Sequence, residues 1–267
     1  MNNFYIITNE TKDHDHKVTD YIKNYLESRG KNCPAALEQI DCVLVLGGDG
    51  TMLRAANELA HLNVPFLGIN LGTLGFLAEV DKNHIEQALE QIINNKYAIE
   101  KRMMINGTIE NEENVLYKSS ALNDIVITGH KPMQLIYFDL YVNDLRLNSY
   151  IADGMIISTP TGSTGYNLSA GGPIIESRAN AILLTPLCAH SMQSRSIILS
   201  SDDEVKIKIG VDKYNNEQMV NAVFDGQHQA MKTGDQIVIT KSEKTTSVIR
   251  FSKMNFLELL KQKLRGS

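Results

Sequence analysis

Apolar residues run without a break from Cys42 through Val43, Leu44 and Val45 to Leu46. A strand-length run with no polar alternation predicts a strand buried on both faces, as in a parallel sheet. After Gly47-Gly48-Asp49-Gly50-Thr51 the pattern changes to helical spacing, in Met52-Leu53-Arg54-Ala55-Ala56-Asn57-Glu58-Leu59-Ala60. Upstream, Phe4 to Thr8 reads as a first strand. Val18, Tyr21, Ile22, Tyr25 and Leu26 share one face of a helix that Gly30 would end. Val64 to Ile69 reads as another strand. Asn83 with Glu86 predicts a capping box for a helix carrying Ile85, Ala88, Leu89, Ile92 and Ile93. Strands alternating with helices predict a Rossmann-like α/β domain with a mostly parallel sheet over residues 1–99.

Beyond Tyr97 the rhythm changes. Short alternating runs lie between turn signals, at 135–142 before Asn143-Asp144, at 204–209, at 222–224 before Asp225-Gly226, at 236–240 and at 246–251. That spacing predicts an antiparallel all-β domain over residues 100–251, with a single helix opening near Ser163–Tyr166. Residues 252–267 return to helix. Asn255 and Glu258 form its capping pair, Phe256, Leu257, Leu259, Leu260 and Leu264 its apolar stripe, and the tail is expected to pack back on the first domain.

Three stretches carry candidate chemistry. In the first, the glycines of the 47–51 turn let backbone N–H groups approach an anion, at the carboxyl end of a strand where open α/β sheets bind ligands. Asp49 in its middle cannot hold a phosphate by charge. It therefore reads as a group for a hydroxyl, a proton or a metal ion, or more plainly as a turn or N-cap residue. Neither GxxxxGK[ST] nor GxGxxG occurs in the chain. The second stretch, Asn70 to Leu77, is a glycine-interrupted loop in which Leu74 and Phe76 offer apolar surface to a flat ring. The third, Ser158 to Pro173, is dominated by small and hydroxylated residues, rich in donors and low in bulk, which suits enclosure of a polar ligand. There Thr164 and Ser169 can donate to phosphate oxygens, and Tyr166 can stack on a base or bond a ribose. Asn123-Asp124 and Asp153 read individually as ordinary turn pairs.

Composition narrows the partners. The chain has 267 residues, 43% of them hydrophobic, enough for one large core or two modest ones. A net charge of −5 without a Lys/Arg run argues against a nucleic-acid binder. The 3 cysteines, Cys33, Cys42 and Cys188, lack metal or redox spacing and read as free thiols of a reducing compartment. With no signal peptide and no spanning-length apolar run, the expected location is the cytoplasm, with no membrane partner.

Taken together, Gly47 to Thr51, Asn70 to Leu77, Asn123-Asp124, Asp153-Gly154, Thr159 to Pro173 and Asp225-Gly226-Gln227 resemble bacterial NAD kinases, in family order over most of the chain. The resemblance implies an α/β domain followed by an all-β domain and a returning C-terminal helix. It implies phosphorylation of the 2′-hydroxyl of the adenosine ribose of NAD by ATP, with a divalent ion, Mg²⁺, whose ligands stay open. Carried over by position, Asp49 is the general base, with Gly50 beside it. Asn123 and Asp124 hold the adenine and ribose, and Asp153 the nicotinamide end. Thr161, Thr164, Gly165, Tyr166, Asn167 and Ser169 wrap the substrate, and Gln227 adds a polar contact. The family also implies a homodimer or homotetramer with sites near subunit contacts. This chain departs from the family in having Gly165 where Ala is usual and Ile151 where many relatives carry a basic residue. Two alternatives stand beside this reading, a lipid kinase of the diacylglycerol type and a non-catalytic dinucleotide sensor. The absence of an amphipathic basic docking segment weighs against the lipid kinase.

Overall fold

The computed structural model describes residues 1–72, 75–190, 195–251, 256, 257, 260 and 261. The chain divides into two compact units, Met1–Arg102 with Thr245–Ser267, and Met103–Lys244.

The first unit contains β1 (Phe4–Thr8), α1 (Lys17–Ser28), β2 (Cys42–Gly47), α2 (Asp49–Leu59), β3 (Phe66–Asn70), β4 (Val80–Asp81), α3 (Ile85–Ile93) and the start of β5 (Ala98–Glu110). β1 pairs with β2, β2 with β3 and β3 with β4, all parallel. Every residue of β2 is buried, as its unbroken apolar run predicts. α1 presents Ile22 and Leu26, and α3 presents Ile85, Leu89 and Ile92, to a core shared with Phe4, Leu44, Leu46 and Leu67. Gly30 takes a φ of 70° just past α1, the left-handed value expected of its terminator.

One expected cap is different. Asp81, rather than Asn83, turns the chain into α3: its Oδ1 accepts from Asn83 N at 2.7 Å, and Oδ2 pairs with His84 Nδ1 at 2.7 Å. No capping box forms, because the Asn83 N–H that Glu86 would accept is donated to Asp81, while the Glu86 carboxylate accepts from the Tyr21 hydroxyl on α1.

The second unit holds the rest of β5, then β6 (Val115–Ala121), β7 (Asp124–Gly129), β8 (Ile136–Val142), β9 (Leu145–Ala152), β10 (Gly154–Ser158), α4 (Tyr166–Ser169), β11 (Ala181–Leu187), β12 (Ile197–Ser200), β13 (Val205–Ile209), β14 (Met219–Phe224), β15 (Gln227–Lys232) and the first part of β16 (Gln236–Arg250). One sheet runs β12-β11-β10-β7-β14-β15, antiparallel throughout. β9, β8, β13 and β16 pair in that order, also antiparallel. The unit is β-rich as expected, and apolar residues of both strand sets share one core.

The runs expected at 236–240 and 246–251 are one continuous strand, β16. The polar stretch between them hides this from hydrophobic pattern, but backbone pairing does not depend on side-chain polarity, and Ser242 and Thr246 are buried within it. In the first unit Val248 of β16 pairs with Phe66 in parallel. The expected terminal helix over Asn255–Leu264 falls largely outside the described residues.

Candidate active site

Parallel pairing of β2 between β1 and β3 directs its carboxyl end into the N-terminus of α2. Gly48 is the N-cap of α2 and makes no side-chain cap. Asp49, the next residue, is half-buried, and its carboxylate is held by the second glycine loop. Oδ2 accepts from Phe76 N at 2.8 Å and Oδ1 from Leu77 N at 3.1 Å. This contact exists because residue 75 is glycine: an added Cβ would stand 1.9 Å from Asp49 Oδ1. Two of the motifs singled out in the sequence are therefore one structure, with Asp49 at its centre. An ionised carboxylate has about four acceptor positions, so two amides leave room for a ligand hydroxyl. Leu74, expected to offer apolar surface here, lies outside the described residues. Phe76 is half-buried.

The same turn borders a cleft of ≈ 570 Å³, with Asn9, Lys12, Gly48, Gly50, Thr51 and Arg54 in its wall. Lys12 and Arg54 line this cleft, and pattern reading misses both. Lys12 lies in the loop after β1, far from the glycine turn in sequence. A signal exists nonetheless, since parallel pairing of β1 with β2 puts the loops after both strands at one end of the sheet.

In the second unit, three neighbouring strands gather the other candidates. β7 pairs antiparallel with β10 and with β14, Ser158 opposite Asp124 and Phe224 opposite Ile125. The start of β7 and the ends of β10 and β14 therefore share one end of the sheet. That end collects Asn123-Asp124, the loop from Thr159 and Asp225-Gly226-Gln227. Thr159 N donates to Asn123 O at 2.8 Å, and Thr159 Oγ1 to Leu122 O at 2.6 Å. The Asp225 carboxylate accepts from the amides of Leu122 at 2.7 Å, Asn123 at 3.0 Å and Asp124 at 3.0 Å. Asp225 thus fixes the backbone of the very segment expected to hold a nucleoside. Asn123 Oδ1 is buried without a hydrogen-bond partner among the described residues. The Asp124 carboxyl is buried, and burial first, then the neighbouring Asp225 charge, raise it to about 7.

The 159–173 loop is compact. Gly162 passes so near Asn123 that a Cβ would lie 2.3 Å from its carbonyl oxygen. Ser163 Oγ donates to Pro160 O at 2.7 Å and accepts from Ile175 N at 3.0 Å. Asn167, expected to touch substrate, has a fully buried side chain committed to the fold: Nδ2 donates to Ser163 O at 3.1 Å and Pro173 O at 3.0 Å, and Oδ1 accepts from Thr185 Oγ1 at 2.7 Å. Thr161 is also buried. Thr164 and Gly165 are half-buried, while Tyr166, Ser169 and, on β15, Gln227 are exposed.

Asp153 is not brought to this cluster. It precedes β10 at the Gly154 end, whereas Thr159 follows the Ser158 end. Six residues of extended chain span about 20 Å. Its carboxylate instead accepts from the exposed Cys188 thiol, whose pKa that contact raises.

Among the described residues no group of three or more His, Cys, Asp or Glu side chains is placed to hold a metal ion, and no helix is long and apolar enough to cross a membrane. The first unit carries a carboxylate at a glycine turn and the second a donor-rich loop, features that fit a nucleotide-handling phosphotransferase without a P-loop. Residues 4–97 match the ATP-NAD kinase N-terminal domain and residues 122–251 the ATP-NAD kinase C-terminal domain. The chain belongs to the ATP-NAD kinase family. It is 41% identical to the NAD kinase of Lachnospira eligens over 293 residues, covering 99% of this chain and 100% of the relative. It is 41% identical to that of Lachnoclostridium phytofermentans over 281 residues, covering 98% and 99%. An NAD kinase from Archaeoglobus fulgidus, solved in complex with ATP, superposes with a TM-score of 0.80 at 25% identity, covering 99% of each chain. Yeast NADH kinase complexed with NADH gives 0.83 at 24% identity, covering 99% of this chain and 87% of that one, a likeness of fold.

Proposed function

We infer that the chain transfers the γ-phosphoryl group of ATP to the 2′-hydroxyl of the adenosine ribose of NAD, giving NADP and ADP. The observation that carries this reading is the Asp49 carboxylate, oriented by two backbone amides at the glycine turn, in a chain related along its whole length to NAD kinases. In the reaction the 2′-oxygen forms a bond to the γ-phosphorus, the bond from that phosphorus to the β,γ-bridging oxygen breaks, and the hydroxyl proton passes to Asp49. Transfer through a loose transition state needs alignment and charge neutralisation more than covalent help. Two amide donors hold the carboxylate in one rotamer, so its free lone pairs point in a fixed direction. A base positioned in this way contributes about 10²–10⁴-fold.

Mg²⁺ enters as part of the substrate, Mg·ATP. Asn123, Asp124, Thr164, Gly165, Tyr166, Ser169 and Gln227 take the NAD side, with Tyr166 as the stacking surface and the unpartnered Asn123 Oδ1 as an acceptor for an exocyclic amine. Thr161 and Asn167 act by holding the loop. The separation of Asp153 from this group along β10 supports a homodimer or homotetramer in which a second copy supplies that carboxylate. The cytoplasm is where both substrates are made available to such an enzyme.

Incubation of the purified chain with NAD and Mg·ATP, followed by an NADP-specific dehydrogenase assay, tests the proposal. Formation of NADP is expected. NAD binding without NADP would point to the sensor, and labelled lipid phosphate in place of NADP to the lipid kinase.

A further inference from the structure

Lys12 occupies a position that the chemistry proposed for the turn does not explain. Its loop is pinned at several points. Asn9 N donates to Leu46 O at 2.8 Å, and the amides of Lys12 and Asp13 both donate to Asn9 O, at 2.9 and 3.0 Å. Asn9 Nδ2 reaches Thr51 Oγ1 on α2 at 3.3 Å. The buried Asp13 carboxylate takes Val18 N at 3.0 Å, Thr19 N at 2.9 Å and Thr19 Oγ1 at 2.6 Å, so its charge is spent on the first turn of α1. Between these anchors the Lys12 side chain extends over two glycines. A Cβ on Gly72 would stand 3.0 Å from its Nζ, and one on Gly48 3.4 Å. Nearby Lys17 pairs with Asp15 at 2.5 Å, but Lys12 has no carboxylate partner among the described residues. Its ammonium, Arg54 and the positive end of the α2 dipole converge on one cleft, with Glu10 as the acidic side chain in the same wall. Two cations and a helix N-terminus outweigh that one carboxylate, so the cleft favours an anion.

We propose that Lys12 is the cation that grips the phosphoryl donor, a chain of condensed phosphates, over the glycine turn. The proposal rests on the phosphotransferase reading above and supplies the lysine that the turn itself lacks. The β1 loop delivers it from the neighbouring strand, where a P-loop would carry it on the turn.

The test compares the parent chain with Lys12→Met, Lys12→Arg and the control Lys17→Met. In Lys12→Met the KM for Mg·ATP is expected to rise about 10- to 100-fold, the loss of one charge-assisted contact, with the KM for NAD within about two-fold of the parent. Binding of inorganic tripolyphosphate, measured by calorimetry, should weaken in parallel. Melting temperature should not change, since the side chain has no carboxylate partner among the described residues. Lys12→Arg should recover part of the loss, and Lys17→Met should behave as the parent. Comparing Mg·ATP with Mg·tripolyphosphate as donor in the parent identifies which phosphate chain is the substrate; Lys12→Met impairs use of either. An unchanged KM for Mg·ATP with unchanged tripolyphosphate binding overturns the proposal. A fall in melting temperature with equal losses for NAD and Mg·ATP overturns it too, by making Lys12 structural. If the parent makes no NADP, the kinase reading fails, and tripolyphosphate binding alone still decides the role of Lys12.

Discussion

Gly75 abuts the Asp49 carboxylate so closely that any side chain there would occupy the space of Oδ1. The relationship joins two sequence motifs 26 residues apart into one structure (Asp49 and Gly75). Gly75→Ala should therefore displace the carboxylate proposed as the base without deleting it. A fall in kcat of about 10²-fold or more is expected, with binding of NAD retained. Steady-state NADP formation measures it, and near-parental turnover would remove Gly75 from the mechanism.

Asp49→Asn should lower kcat by about 10²–10⁴-fold. The amide also turns an N–H₂ group toward one of the two backbone donors that the carboxylate satisfies, so the 75–77 segment shifts as well. The double variant with Gly75→Ala should be no slower than Asp49→Asn alone, because both changes act on one group. Additive losses would contradict a shared role.

Asp225 receives three amides of the 122–124 segment. Asp225→Asn replaces a charged acceptor by a neutral one, at an expected cost of about 1.5–3 kcal/mol in unfolding free energy. Urea denaturation measures the loss. The KM for NAD should rise more than the KM for Mg·ATP, since the disturbed segment belongs to the β-rich unit. Equal changes in both would assign Asp225 to general stability.

Asp124 gives a pH signature. Its carboxyl is raised to about 7 by burial and then by Asp225, against about 4 in an unfolded chain. Between these values the folded chain keeps a proton that the unfolded chain has released. The contribution to stability is complete below about pH 4 and is lost as pH rises through about 7. Asp124→Asn abolishes this titration. The melting temperature of the variant minus that of the parent should grow more positive from about pH 5 to about pH 8. A difference independent of pH would show that Asp124 does not titrate in this range.

Much of this protein is legible in its sequence, because local chemistry set it. An unbroken apolar run can only be satisfied by burial on both faces, and β2 is buried throughout. Helical spacing at Val18 to Leu26, ended by Gly30 at positive φ, gave α1 without any tertiary information. Relatedness over most of the chain likewise followed from the motifs and their order.

What the sequence by itself could not determine is which partner each polar group finds. The polar residues of β16 break the apolar alternation, yet backbone pairing carries the strand through them. The Asn83 N–H expected to meet Glu86 is taken by Asp81, and Glu86 instead meets the Tyr21 hydroxyl on another helix. The resemblance places Asn167 in the stretch that wraps the substrate, whereas the fold decides its partners, Ser163, Pro173 and Thr185. Lys12 carried no motif; parallel pairing of β1 with β2 brought it to the glycine turn. Apolar burial is set by what a residue is, whereas hydrogen bonds and charge contacts depend on which groups the folded chain brings within about 3 Å of one another.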